Sequence, residues 1–188
     1  MLTIYFSPHM TSTDNEAKRA SGYADVPLSD AGRQQSHELG QHYAAYPLVA
    51  IFCSDLQRAV DTAQIGFGAR GLPIIPDSRL RETDYGDLTQ HPTAELDAQF
   101  PLRIRTPFPN GESLAMAVQR TGDCLRDALT AYDQTAVLVI GHRATKYGLD
   151  FWCGDQTLED IVATPWEWRD IPIWHYDLHA EAFIRRTL

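Results

Sequence analysis

Residues 4–15 read Ile4-Tyr5-Phe6-Ser7-Pro8-His9-Met10-Thr11-Ser12-Thr13-Asp14-Asn15, a short apolar run that stops at a histidine and passes into small hydroxyl and amide side chains. Leu2 to Phe6 suit a buried strand. Proline has no N–H with which to extend a central ladder, so the strand is expected to end before Ser7-Pro8. His9 then stands at the carboxyl edge of the first strand, the edge of an open α/β sheet where ligands collect. A histidine in that place ordinarily does no more than bond a nearby carbonyl, so its meaning depends on what the rest of the chain brings to it.

Working outward, the same unit recurs. Ser29 can cap a helix running to about Tyr46, with Leu39, His42, Tyr43 and Tyr46 on one face. Val49 to Cys53 is a second apolar run, broken by Ser54-Asp55, and a helix from Leu56 to about Ile65 follows, with Arg58 in its first turn. Gly66, Gly68 and Gly71 end that helix. Pro73 to Pro76 reads as a proline-bounded edge strand. Asp77 to Leu88 is dense in charge without helical period and reads as a loop at a site. Pro92 to Phe100 suggests a short helix, and Asn110-Gly111-Glu112-Ser113 opens a long one to Tyr132, with Leu114, Val118, Leu125 and Leu129 as its stripe. Ala136-Val137-Leu138-Val139-Ile140 is apolar throughout, as an interior parallel strand covered on both faces should be. It ends at Gly141-His142, so a second histidine stands where the first did. Helices to about Cys153 and over Leu158–Val162 follow, and Ile173–Leu178 with Ala182–Ile184 are expected to close the chain as an antiparallel pair. The alternation predicts one domain over residues 1–188, a three-layer α/β/α sandwich around a mostly parallel, doubly wound sheet.

Composition narrows the function. The 188 residues carry 44% hydrophobic and 22% charged side chains and a net charge of −9. That surplus of acid argues against nucleic acid as a partner, because phosphate-backbone affinity needs clustered Lys and Arg. No run approaches the roughly 18 apolar residues of a membrane span, and the chain enters its first strand without an export signal, so a cytoplasmic location is expected. Cys53, Cys124 and Cys153 are dispersed, as reduced structural thiols would be. His37 and His42 are spaced five apart, off a common helix face, and no metal or cofactor is expected. An anionic substrate would have to be held by a local basic pocket, which makes single arginines informative.

His9, Arg58, Glu82 and His142 each follow a strand or open the helix after one, and the topology gathers them at one end of the sheet. At these residues the chain resembles the histidine phosphatase superfamily, in its phosphoglycerate mutase-like branch, from about Thr3 to Gly154. The resemblance is carried by Pro8-His9-Met10 with Ser12 and Asn15, by Gly22, Asp25, Pro27-Leu28 and Gly32, and by Ser54-Asp55-Leu56-Gln57-Arg58-Ala59. Leu80-Arg81-Glu82, Pro109-Asn110-Gly111-Glu112-Ser113 and Gly141-His142 complete it. It implies hydrolysis of a small phosphorylated metabolite through a phosphohistidine: His9 as nucleophile, Arg58 and His142 holding the phosphoryl oxygens, Glu82 as proton donor and then base, and Ser12, Asn15 and Gly22 on the substrate side. A neutral imidazole is a usable nucleophile near pH 7, and charge on the transferring group must be met by fixed donors.

Two positions depart from the family pattern, whose arginine before the nucleophile is Pro8 here and whose following glycine is Met10. A lost charge-assisted donor costs about 1.5–3 kcal/mol in binding, and roughly 10²–10³ in rate when it faces developing charge. Arg143 is the expected replacement, unless it pairs with a carboxylate such as Asp14 or Asp150. Leu88-Thr89-Gln90 also replaces the family's usual Trp-Glu-Gly. Pro8 and Met10 equally admit a weak or inactive relative that binds an anion or a partner protein, and the pocket also admits non-phosphoryl acid/base chemistry. The short chain between Glu82 and Gly111 speaks against a mutase. His91, His175 and His179 read as surface groups. Trp152, Trp166, Trp168 and Trp174 form an aromatic block that reads as core or as a homodimer surface.

Overall fold

The computed structural model describes residues 1–166 and 172–188. In chain order its elements are β1 (Leu2–Pro8), α1 (Thr13–Glu16), α2 (Asp30–His42), β2 (Leu48–Cys53), α3 (Gln57–Phe67), β3 (Ile74–Pro76), α4 (Thr93–Gln99), α5 (Leu114–Tyr132), β4 (Ala136–Gly141), α6 (Arg143–Cys153), α7 (Leu158–Ala163), β5 (Trp174–Leu178) and α8 (Ala182–Arg185). The sheet order is β3-β2-β4-β1-β5, parallel except for the antiparallel edge strand β5.

The period-two geometry of a strand explains the two cores. In β4, Val137 and Val139 face one side, where they join Leu2, Ile4 and Phe6 of β1 and the buried residues of α5, α6 and α7. Leu138 and Ile140 face the other, against Leu39 of α2, Tyr43 just past its end, and Ala59, Ala63 and Phe67 of α3. A strand with both faces covered has no polar position to offer, hence the unbroken apolar run. Here the expected three-layer, mostly parallel architecture is the observed one.

Three local expectations are corrected. β1 continues through Pro8, paired with Gly141. The neighbouring His9 N–H donates to Gly141 O at 2.8 Å, and Pro8 lies past the end of the β5 pairing at Phe6↔Trp174, so its missing donor has no acceptor to leave empty. α2 stops at His42, four residues early, because the chain must turn at Tyr43–Tyr46 to enter β2; His42 is exposed while Leu39 and Tyr43 are buried. The closing segments do not pair with each other: β5 takes the open edge of β1, and Ala182–Arg185 coils into a helical turn. A free β1 edge offers a full row of backbone partners, which a local hairpin of three residues cannot match.

Of the aromatic block, Trp152 is core, its indole N–H bonded to Val118 O, and Trp166 packs against Trp174 at 6.1 Å between ring centres. Trp168 lies outside the described residues. No helix among the described residues is long and apolar enough to cross a membrane.

The four parallel strands end at the same edge. They deliver His9 after β1, the Ser54–Arg58 turn after β2, the 77–88 loop after β3 and His142 after β4 to one place.

Candidate active site

The register Pro8↔Gly141 places the next residues, His9 and His142, side by side on adjacent strands. Their rings stand 5.0 Å apart between centres, tilted by 55°. His9 Nδ1 lies 2.7 Å from Met10 O. A carbonyl only accepts, so Nδ1 carries the proton and the lone pair is on Nε2. Arg58 Nε donates to that Nε2 at 3.3 Å. His9 does bond the nearby carbonyl, and that bond sets the tautomer a nucleophilic Nε2 requires. Burial, and then the Arg58 charge, push His9 down to about 3, so its imidazole is neutral across the physiological range.

Arg58 is 1% exposed. It sits in the first turn of α3, with Nη1 and Nη2 each donating at 2.9 Å to the carbonyls of Ala24 and Gly22, and Nη2 3.5 Å from His142 Nδ1. No carboxylate among the described residues is ion-paired to it. Burial lowers its pKa, opposed mainly by the charge of Glu82. A buried cation without a counter-ion is costly; here it lines a cavity of about 1010 Å³ together with His9, Asn15, Gly22, Glu82 and His142. His142 is also buried, its pKa held well below normal by desolvation and by Arg58, and its Nε2 has no partner.

Glu82 arrives from the loop after β3. Its Oε1 accepts from Thr83 N–H at 2.8 Å and from Ala144 N–H at 3.1 Å, in the first turn of α6. What holds the loop is Arg120 of α5, which the sequence reading missed. Its Nη1 donates to Arg79 O and Arg81 O and its Nη2 to Glu82 O, all at 2.8 Å, while it pairs with Glu112 at 2.6 Å. Glu112 Oε1 also accepts from Asp84 N–H. The recoverable signal was Glu112 itself, in a motif already singled out, with a helix arginine eight residues on.

The substrate-side expectations divide. Asn15 lines the cavity, its Oδ1 taken by Ser12 N–H and Oγ–H at 2.9 Å each, which leaves the amide Nδ2 free to donate. Ser12 is corrected: fully buried, its hydroxyl caps α1 as half of a capping box and does not reach the cavity wall. Gly22 lines the cavity, but its part is conformational. It sits at φ +50° and turns its carbonyl onto Arg58. Met10 is turned into the α2–α3 core, 4% exposed, with its N–H on Thr62 Oγ1, so it occupies no cavity space. The same loop is crowded from behind, where a Cβ at Gly32 would meet Thr11 O at 2.0 Å.

Arg143 lines the cavity, paired with neither of the carboxylates weighed for it. Asp14 accepts from Gln90, and Asp150 takes Lys146 and Tyr176. Arg143 Nη1 instead donates to Asp97 of α4 at 2.6 Å, with the guanidinium carbon 4.4 Å from the centre of the Phe100 ring. Lys18 and Arg19, exposed at the cavity rim, were not foreseen either. His91 and His175 are exposed, each beside a carboxylate, and His179 is exposed too.

Residues 4–149 match the model of the histidine phosphatase superfamily, branch 1. The chain is 29% identical over 150 residues to the probable phosphoglycerate mutase GpmB of Erwinia tasmaniensis, covering 76% of this chain and 70% of that protein. It is 30% identical over 149 residues to the uncharacterized phosphatase PhoE of Bacillus subtilis, covering 79% and 76%. Among solved structures, Bacillus stearothermophilus YhfR superposes with a TM-score of 0.80 at 27% identity, over 92% of this chain and 90% of that one. A mycobacterial glucosyl-3-phosphoglycerate phosphatase, Rv2419c, superposes with a TM-score of 0.77 at 24% identity, over 87% of each chain, a likeness of fold.

Proposed function

The chain belongs to the histidine phosphatase superfamily, whose members here support a phosphatase or mutase-like activity, and from that premise we propose that it hydrolyses phosphate monoesters of small metabolites through a phosphohistidine on His9. The observation that carries this reading is Arg58, a buried guanidinium ion-paired to no carboxylate among the described residues, donating to the lone-pair nitrogen of a neutral histidine. A phosphoryl group entering between His9 and His142 supplies the missing negative charge.

In the first step His9 Nε2 attacks phosphorus, the ester P–O bond breaks, and Glu82 gives its proton to the departing alkoxide. Arg58, His142 Nε2–H and Asn15 Nδ2 meet the charge on the equatorial oxygens, which is where most of the catalysis in phosphoryl transfer lies. In the second step water attacks phosphorus and gives a proton to Glu82. The P–N bond breaks, inorganic phosphate leaves and Nε2 regains its lone pair.

The test is hydrolysis of p-nitrophenyl phosphate by the wild type and by His9→Ala, with an acid-stable or base-stable phosphoenzyme trapped in Glu82→Gln. We expect His9→Ala to lose about 10³-fold or more in kcat/KM and the trapped phosphate to be acid-labile and base-stable. Activity that survives His9→Ala overturns the proposal. A folded wild type inert toward a broad ester panel favours an anion-binding relative, the reading that Pro8 ahead of His9 motivates. Transfer of the label to an added alcohol phosphate rather than to water would make it a mutase.

A further inference from the structure

That reading of the cavity as a phosphomonoester site is the premise here, and the ionic pairing around Arg143 is the starting point. Arg143 opens α6 directly after His142 and lines the same cavity as His9 and His142. It is not a free cation. Nη1 is engaged by the Asp97 carboxylate at 2.6 Å, its plane lies on Phe100 at 4.4 Å, and Nε is buried without a partner. One residue further along α6, the Ala144 N–H holds the Glu82 carboxylate at 3.1 Å. Asp97, Arg143 and Glu82 all line the same cavity. Lys18 and Arg19 stay at the exposed rim, where their side chains make no hydrogen bond or ion pair among the described residues.

We propose that Asp97 and Arg143 form a leaving-group subsite that favours phosphate monoesters whose alcohol part carries hydroxyl groups and no second negative charge. A hydroxyl can accept from the guanidinium and donate to Asp97 with the ion pair intact. A carboxylate or second phosphate on the alcohol has to share or displace the guanidinium's bond to Asp97, and meets that carboxylate's negative charge in doing so. Like-charge juxtaposition of that kind is how binding sites reject a competitor. The rim cations act at longer range, drawing in any dianionic ester without distinguishing its other end.

Two probe esters of nearly equal size differ only in this feature: glycerol 3-phosphate, with a terminal hydroxymethyl, and 3-phosphoglycerate, with a carboxylate in its place. The wild type is expected to show the higher kcat/KM on glycerol 3-phosphate. Asp97→Asn keeps the shape and a hydrogen-bonding group but removes the charge. It should shift the ratio of the two kcat/KM values toward 3-phosphoglycerate by about tenfold, chiefly through KM. A merely structural role for Asp97 would lower both together. An unchanged ratio, or a wild type that prefers the carboxylated ester, overturns the proposal while His9-dependent hydrolysis of p-nitrophenyl phosphate stands. Loss of that hydrolysis as well would take the phosphatase reading with it. Arg143→Gln supplies the second measurement. It leaves Asp97 without its counter-charge, so the preference for glycerol 3-phosphate should widen, and a preference that narrows speaks against the subsite even if Asp97→Asn is poorly folded.

Discussion

The inner end of the cavity and its rim are built on opposite principles. At the inner end Arg58 is 1% exposed and His142 likewise, and the backbone carbonyls of Gly22, Ala24 and Met10 orient Arg58 and His9. At the rim, Lys18 and Arg19 are exposed, their side chains unpaired among the described residues, and Asp97 is half exposed. The inner groups can therefore act on a phosphoryl group with little reorganisation, whereas the rim groups are screened by solvent and act as long-range charges. The difference teaches where each kind of specificity can reside. On the proposed function, recognition of the phosphoryl group is assigned to the buried wall, and discrimination between alcohols to the side that α4 covers.

The contrast is broken most severely at Arg58. Arg58→Lys keeps the charge but not the fork, and an ammonium cannot serve Gly22 O, Ala24 O and His9 Nε2 in their present directions. We expect a loss of roughly 10²–10³ in kcat for p-nitrophenyl phosphate hydrolysis, measured in steady state. A loss under threefold would mean that charge alone, as at the rim, is enough.

Acid sharpens the contrast through stability. His9 and His142 are held neutral in the fold, with the pKa of His9 down at about 3. Unfolded histidine binds a proton below about 6.5. The unfolded chain therefore binds more protons as pH falls from there toward 3. Stability is fully present above pH 6.5 and is lost on acidification, by up to about 1.4 kcal/mol per pH unit for each histidine. Urea unfolding between pH 7 and 5 should show that slope, reduced in His142→Gln, and reduced also by saturating phosphate, whose charge favours the imidazolium. A slope that His142→Gln leaves untouched would place the acid sensitivity elsewhere.

The smallest effect is expected at the rim. Lys18→Gln with Arg19→Gln should lower kcat/KM about two- to fivefold at low salt, with the gap closing by about 0.5 M salt. A salt-independent loss would show that these side chains touch the bound ester.

Several of these groups were legible in the chain itself. The two strands that end in His9 and His142 announce themselves by an apolar run that stops at a histidine, and Arg58 by its place in the first turn after another such run. Arg120 was not legible, because nothing about a helix arginine 38 residues beyond Glu82 says that it will gather the carbonyls of the 79–82 loop. Ser12 was misplaced for a local reason. A serine three residues before an asparagine satisfies both side chains within one turn, and that cap leaves the hydroxyl nothing for a ligand. The sequence offered Arg143 as a phosphate clamp or as the partner of Asp14 or Asp150, and it did not point to Asp97, which lies 46 residues away on a helix whose approach no pattern records.

By itself the sequence determined β1 to β4 and the longer helices between them, that the sheet is covered on both faces, and which side chains stand at strand ends, because alternation and capping are local and each residue carries its own share of them. The tertiary structure alone decided the 5.0 Å approach of the two imidazoles, the pairing of β5 with β1, and the partners of Arg58, Arg120 and Arg143. Those depend on strand register and on which backbone groups are left unsatisfied once the layers have packed.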